Sequence, residues 1–147
     1  MPVTTRLEIV SADKVVYSED VRMVIVRSTG GELGILPKHA PLVAGLVPHA
    51  VRVSFDGNRD EQLIACAGGF IEVTPNKVTI MAVAAEDPID IDINRAQRAM
   101  ERAKERLAAL QNTSDPVVKK SIDKVRAEFA LRRAMARLQA TGTKFDQ

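Results

Sequence analysis

The fold class predicted for this chain is an N-terminal antiparallel β-sandwich followed by a C-terminal antiparallel two-helix hairpin. Two observations carry that prediction. Residues 1–86 divide into short apolar segments with turn chemistry every 8–12 residues, as antiparallel sandwiches and barrels do. After Glu86-Asp87-Pro88 the hydrophobic period changes from two to the helical 3.6. Charge divides at the same place. Residues 1–91 carry 8 Lys and Arg against 12 Asp and Glu, a net of −4, and residues 92–147 carry 13 against 7, a net of +6. A basic appendage of this kind suits an acidic partner. The predicted organisation is a sandwich over 1–86, a linker over 87–91 and a hairpin over 92–147.

Arg6–Val10 and Lys14–Ser18 are short strand candidates. Val21–Arg27 centres on Val24-Ile25-Val26, which predicts a strand buried on both faces. The run from Gly31 to Leu42 reads as a rigid, partly buried connection. Gly31 and Gly34 permit positive φ, while Pro37 and Pro41 block helix on either side of His39. In Ala50–Phe55, Val51, Val53 and Phe55 alternate with Arg52 and Ser54, and Asp56-Gly57-Asn58 then offers turn chemistry. Gln62–Ala67, Gly69–Thr74 and Lys77–Ala84 complete the set, with turns at Gly68-Gly69 and Pro75-Asn76.

Asp92 is a suitable N-cap for the first helix. Ile93, Ala96, Met100, Ala103, Leu107 and Leu110 then recur at 3-4-3-4-3 spacing, one stripe of a helix–helix seam. Asp115 caps the second helix, with Pro116 at its first position. Val118, Ile122, Val125, Phe129 and Ala136 share one face of that helix; Ala127, Leu131, Ala134 and Leu138 share the opposite face. One face covers the first helix and the other needs a second surface. Thr141–Gln147 reads as a frayed polar tail.

Composition excludes several classes. No apolar run approaches the roughly 20 residues a membrane span needs, and residues 1–20 lack an apolar signal core. A cytosolic protein, or one held at a membrane only through partners, is expected. The single Cys66 lies in an apolar run and reads as a buried, inert thiol. It rules out an internal disulfide and a Cys-based zinc site, and no metal site is expected. No P-loop and no nucleophile–base–oxyanion set assembles, so a catalyst is the least favoured class.

Two constellations remain. With the hairpin centred near residue 114, Arg95 falls opposite about 133, and Arg102 opposite about 126. Three or four guanidiniums, Arg137 among them, would then converge on one edge and suit a triphosphate. A solvated basic face explains the same spacing. Glu32 and His39 stand in the Gly/Pro-framed run, where a capped turn with a satisfied histidine is the plain alternative.

The run Gly31–Leu42 resembles the signature segment of the epsilon subunit of bacterial and chloroplast F-type ATP synthase. Ala67-Gly68-Gly69-Phe70-Ile71-Glu72-Val73 is similar to that family's second β signature. Ile91-Asp92-Ile93-Asn94-Arg95-Ala96 resembles its nucleotide motif, and Ala130–Leu138 its last helix. The resemblance implies a non-catalytic rotor subunit of the central stalk that couples proton flow to ATP synthesis. It implies partners in the gamma subunit, the ring of c subunits and the acidic segment of beta in the catalytic hexamer. It places the protein peripherally on the cytoplasmic side of the cell membrane. By the same resemblance, Glu86, Ile91, Asp92, Arg95, Ala96, Arg102, Arg133 and Arg137 form an ATP site. Glu32 and His39 face the c ring. No cofactor is required; ATP, with or without Mg²⁺, is a regulatory ligand that favours the folded hairpin over an extended, inhibitory one. A free-standing nucleotide-sensing module and a nucleic-acid-binding protein are the competing classes.

Overall fold

The computed structural model describes residues 3–112, 114–117 and 123–143. Ten strands come first: β1 Thr5–Val10, β2 Val15–Val21, β3 Met23–Ser28, β4 Gly31–Ile35, β5 Leu42–Leu46, β6 His49–Ser54, β7 Gln62–Cys66, β8 Gly69–Thr74, β9 Lys77–Ala82 and β10 Ala85–Glu86. A 3₁₀ turn at Pro88–Asp90 leads to α1, Ile93–Asn112, and the chain returns in α2, Lys124–Ala140.

The strands form one continuous path, β10-β7-β6-β3-β5-β8-β9-β1-β2, with β4 added to β3. All pairs are antiparallel except β1 with β9, which run parallel from Arg6↔Lys77 to Val10↔Met81. The path folds over into a sandwich, with its end strands β10 and β2 not paired to each other. Alternate residues from each side fill its interior: Leu7 and Ile9, Val24 and Val26, Val51 and Val53, Ile71 and Val73, Val78 and Ile80. Each such side chain contributes about 1.5–3 kcal/mol on leaving water.

Side chains join the two ends of the path. The Tyr17 hydroxyl on β2 lies 2.7 Å from Glu19 Oε2 and 2.9 Å from the Gln62 side-chain amide on β7. One O–H serves one acceptor, so it donates to the charged carboxylate, and the Gln62 amide, turned over, donates to the phenol oxygen. Arg59 bridges the same gap. It reaches Glu19 at 3.0 Å and lies 3.6 Å from the Phe55 ring centroid.

The run 31–42 is more regular than predicted. Gly31–Ile35 is a strand in a hairpin with β3, and Leu42 already belongs to β5. Two glycines weaken β propensity, but pairing with β3 supplies what propensity lacks. Gly31 takes φ +126°, whereas Gly34 sits in ordinary strand geometry, and Lys38 holds the left-handed conformation at φ 62°. Lys38 follows Pro37, the order of a type II turn. β3 is buried on one face only: Val24 and Val26 are enclosed, while Ile25 is half-exposed. Gly69 is confined by its neighbours, since a Cβ there would lie 2.1 Å from the Met81 carbonyl oxygen. Cys66 is buried, and burial pushes its thiol pKa upward.

Both helices begin at aspartate caps. The Arg95 amide donates to Asp92 Oδ1 at 3.0 Å, as predicted. Asp115 accepts from the Val117 amide at 2.9 Å, yet the long second helix starts only at Lys124, where Asp123 accepts from the Arg126 amide at 3.1 Å. Val118 and Ile122 of the predicted helix face lie outside the described residues. At its far end α2 closes with a Schellman motif: Gly142 at φ 75° donates to the Gln139 carbonyl and Thr143 to that of Leu138. Residues 141–143 are therefore fixed rather than frayed.

The seam between the helices holds Ala96 and Met100 of α1 with Ala134 and Leu138 of α2. Ala140 packs with Ala50, Ala65 and Ile91 on the sandwich. Small side chains let α2 lie close to β6 and β7. The predicted Val125–Phe129 face finds no such cover, and both residues are exposed.

Candidate functional site

Glu86, Asp90, Asp92, Arg95, Ala96 and Arg137 line one cavity of about 150 Å³. Its position follows from the local chain. Pairing of β10 with β7 fixes Glu86 at the sandwich edge, through Glu86↔Ala65. Asp87 caps the 3₁₀ turn by accepting from the Ile89 amide at 3.1 Å, and the turn carries Asp90. Ile91 is buried against Ala50, Ala65 and Ala140, which anchors the start of α1. Asp92 and Arg95 then stand in and just before the first helical turn. Arg137 arrives from α2, where its Nε donates to Glu86 Oε1 at 2.7 Å.

Five of the eight predicted nucleotide-site residues, Glu86, Asp92, Arg95, Ala96 and Arg137, meet around this cavity. Ile91 lies beneath it as packing. Arg133 lies beside it, in a narrow crevice shared with Glu86, Arg137 and Cys66. Arg102 is exposed two turns further along α1 and lines neither space.

Helix register explains the difference. Arg95 shares its cavity with Arg137, one turn beyond the predicted opposite position near 133. The electrostatics differ as well. Two guanidiniums meet three carboxylates, two of which, Glu86 and Asp92, belong to the predicted set, where spacing alone suggested three or four converging guanidiniums. Asp90 was missed because a 3₁₀ turn of three residues leaves no periodic signal. The described residues hold no group of three or more ligands suited to a metal ion.

Glu32 lies on β4, and His39 lies in the loop between β4 and β5. Glu32 faces Arg27 across the β3–β4 pairing. The His39 ring Nδ1 lies 2.7 Å from the Ala40 carbonyl, in the loop where the Lys38 amide donates to Pro75 O.

A second feature was not legible in the sequence. The outer face of β5-β8-β9 is uncovered and carries three exposed apolar side chains beside Glu72 and Thr79. Phe70 pairs with Gly45 and Met81, and Val43 stands two residues from Gly45 on the same side. Val43 is 70% exposed, Phe70 58% and Met81 43%. The helices cover β6 and β7 and leave this face open.

Known proteins resemble the chain over nearly its whole length. The family described as ATP synthase, Delta/Epsilon chain, beta-sandwich domain matches residues 4–88, and the corresponding long alpha-helix domain matches 90–142. The ATP synthase epsilon chain of Halalkalibacterium halodurans is 48% identical over 95% of this chain and 98% of its own length. That of Bacillus pumilus is 45% identical over the same shares. Among solved structures, a chain of the Euglena gracilis mitochondrial ATP synthase assembly of OSCP, F1 and c-ring superimposes with a TM-score of 0.73. Its sequence identity is 25%, over 95% of this chain and 82% of that one. A chain from the Tetrahymena thermophila mitochondrial ATP synthase central stalk and c-ring shares the fold at a TM-score of 0.54 and 13% identity, over 93% and 96%. No helix among the described residues is long and apolar enough to cross a membrane. The sandwich, the capped helix pair and these relatives together establish that the chain belongs to the epsilon chains of F-type ATP synthase, non-catalytic subunits of the central stalk.

Proposed function

We propose that this subunit couples rotation within the stalk through its sandwich and regulates ATP hydrolysis through its hairpin, with ATP as the signal. The observation that carries the regulatory reading is the meeting of Glu86, Asp92, Arg95 and Arg137 around one cavity. Those residues come from the sandwich edge and from both helices. A ligand held by all of them requires the hairpin to be docked, so it shifts the population towards the docked state.

The residue types suit the two ends of ATP. Carboxylates accept from the adenine amino group, and guanidinium forks pair with phosphate oxygens. A complete small-molecule site usually measures about 300–1,000 Å³, so a 150 Å³ cavity holds one end of the nucleotide. The remainder extends along α1 from Arg95 towards Arg102, about 10 Å away at 1.5 Å per residue. Phosphates compete with Glu86 for Arg137. Mg²⁺ bound to the phosphates would ease their approach to three carboxylates.

When the hairpin releases, its basic residues become free to engage an acidic segment of the beta subunit and block hydrolysis. The bare face of Val43, Phe70 and Met81 is the seat for gamma, because apolar area of that kind is covered in a working assembly. Glu32 and His39 meet the c ring. The subunit is held peripherally at the cytoplasmic face of the membrane through these partners. Calorimetric titration of ATP into the full chain and into an Arg133→Ala, Arg137→Ala variant tests the site. Weaker binding by the variant supports it, and equal binding removes it.

A further inference from the structure

A recess of about 580 Å³ lies away from the Glu86 cavity, on the next face of α2. Its walls are the end of β3 and the turn after it (Arg27, Ser28, Thr29), Val47 with His49 at the start of β6, and the α2 stripe Arg132, Met135, Ala136, Gln139. Those four helix positions are spaced i, i+3, i+4, i+7 and so share one side. The Schellman turn at Gly142 and Thr143 forms the end wall.

Among the described residues, Arg27 and Arg132 line this cleft and no carboxylate does, although the Glu32 carboxylate lies near enough to act on His49. Neither guanidinium has an ion pair among the described residues; Arg132 has only the Phe129 ring, 5.8 Å away. Glu32, opposite Arg27 in the strand register, stays beyond ion-pair distance. The last carbonyls of α2 are occupied by the Gly142 and Thr143 amides, so the helix end presents few free acceptors here. His49 is half-buried; burial and, after it, the nearby Arg27 charge lower its pKa against the opposing Glu32 carboxylate, which favours the neutral ring with its one N–H. Thr29 and Gln139 add uncharged polar groups to the walls.

We infer that this cleft binds a small, soluble phosphate-bearing dianion, bridging Arg27 of the sandwich and Arg132 of α2. Two guanidinium forks match two negative charges on tetrahedral oxygens. The volume lies within the range of small-molecule sites. Because its two walls belong to the sandwich and to the hairpin, an occupant strengthens hairpin docking independently of the Glu86 cavity.

The test is a titration of inorganic pyrophosphate into the full chain without Mg²⁺, followed by amide and histidine-ring NMR shifts. Saturable, concerted shifts at Thr29, His49 and Thr143 are expected, with succinate at equal concentration producing much less. The double variant Arg27→Gln, Arg132→Gln should weaken those shifts at least tenfold. Both side chains are exposed, so an otherwise unchanged spectrum verifies the fold. Arg95→Gln with Arg137→Gln should leave them intact, which separates this cleft from the proposed ATP site. Three results would overturn the inference: no response at those three residues up to about 10 mM, equal response to succinate, or full response in the Arg27/Arg132 variant.

Discussion

Arg137 and Glu86, 51 residues apart, are joined at 2.7 Å, and this ion pair ties the last helix to the last strand of the sandwich. Each side chain is about one-third exposed, at 37% and 34%, so water screens the pair. It is worth at most about 1 kcal/mol. That is small for global stability but substantial for the docking of one helix. Glu86→Ala should therefore speed amide exchange across α2 by up to about fivefold while leaving exchange in β1, β6 and β9 unchanged. Uniform acceleration through the whole chain would show that α2 does not open as a separate unit.

Binding of ATP should grade with position around the cavity. Arg95→Ala and Arg137→Ala each remove a charge-assisted contact of about 1.5–3 kcal/mol, a loss of tenfold or more in affinity. Arg102→Ala, two helical turns away and exposed, should cost less than either. Calorimetry on the full chain measures the series. Equal losses at all three positions would argue for general charge attraction over a defined site.

Gly69 should tolerate no side chain. It lies at φ +140°, and an added Cβ would meet the Met81 carbonyl oxygen at 2.1 Å. Strain and overpacking together predict a loss of roughly 2–6 kcal/mol for Gly69→Ala. Urea denaturation checks it. A change below about 1 kcal/mol would mean that β8 and β9 separate easily at this point.

The Tyr17–Glu19 contact predicts a pH signature. The Tyr17 hydroxyl, and after it Arg59, holds the Glu19 carboxyl below its ordinary range against a smaller opposing effect of burial. A depressed carboxylate pKa stabilises the fold above the unfolded value, near 4.3, and that stabilisation is lost as pH falls through the folded value. Tyr17→Phe should thus cost about 1 kcal/mol at pH 7 and less at pH 3. Denaturation curves at both values decide. A cost that does not change with pH would assign the effect to packing.

How much the sequence disclosed follows the strength of its local signals. Alternation placed β6, β8 and β9, and Asp92 announced the start of α1, because burial and capping act within a few residues. β4, read as part of a rigid connection, was missed, as were β5 and β10. Leu42-Val43-Ala44-Gly45-Leu46 carries no clean alternation, and two residues at Ala85–Glu86 carry no period at all; pairing with β8 and β7 makes them strands. Most of the residues lining the candidate cavity were legible as types, but their arrangement was not. Whether Arg95 meets Arg133 or Arg137 depends on the register between α1 and α2, which no periodicity encodes. The bare Val43–Phe70–Met81 face was hidden for a similar reason, since three residues on three strands become neighbours only through sheet register.

The most direct test of the regulatory reading is ATP hydrolysis by the reconstituted soluble complex. One preparation contains the full chain and another a version ending at Asp87. The account predicts a several-fold rise in hydrolysis on truncation, and a rise with the full chain when ATP increases, which Arg95→Ala with Arg137→Ala abolishes. Equal hydrolysis by the full-length and truncated forms would contradict it, leaving the hairpin without a part in regulating the complex.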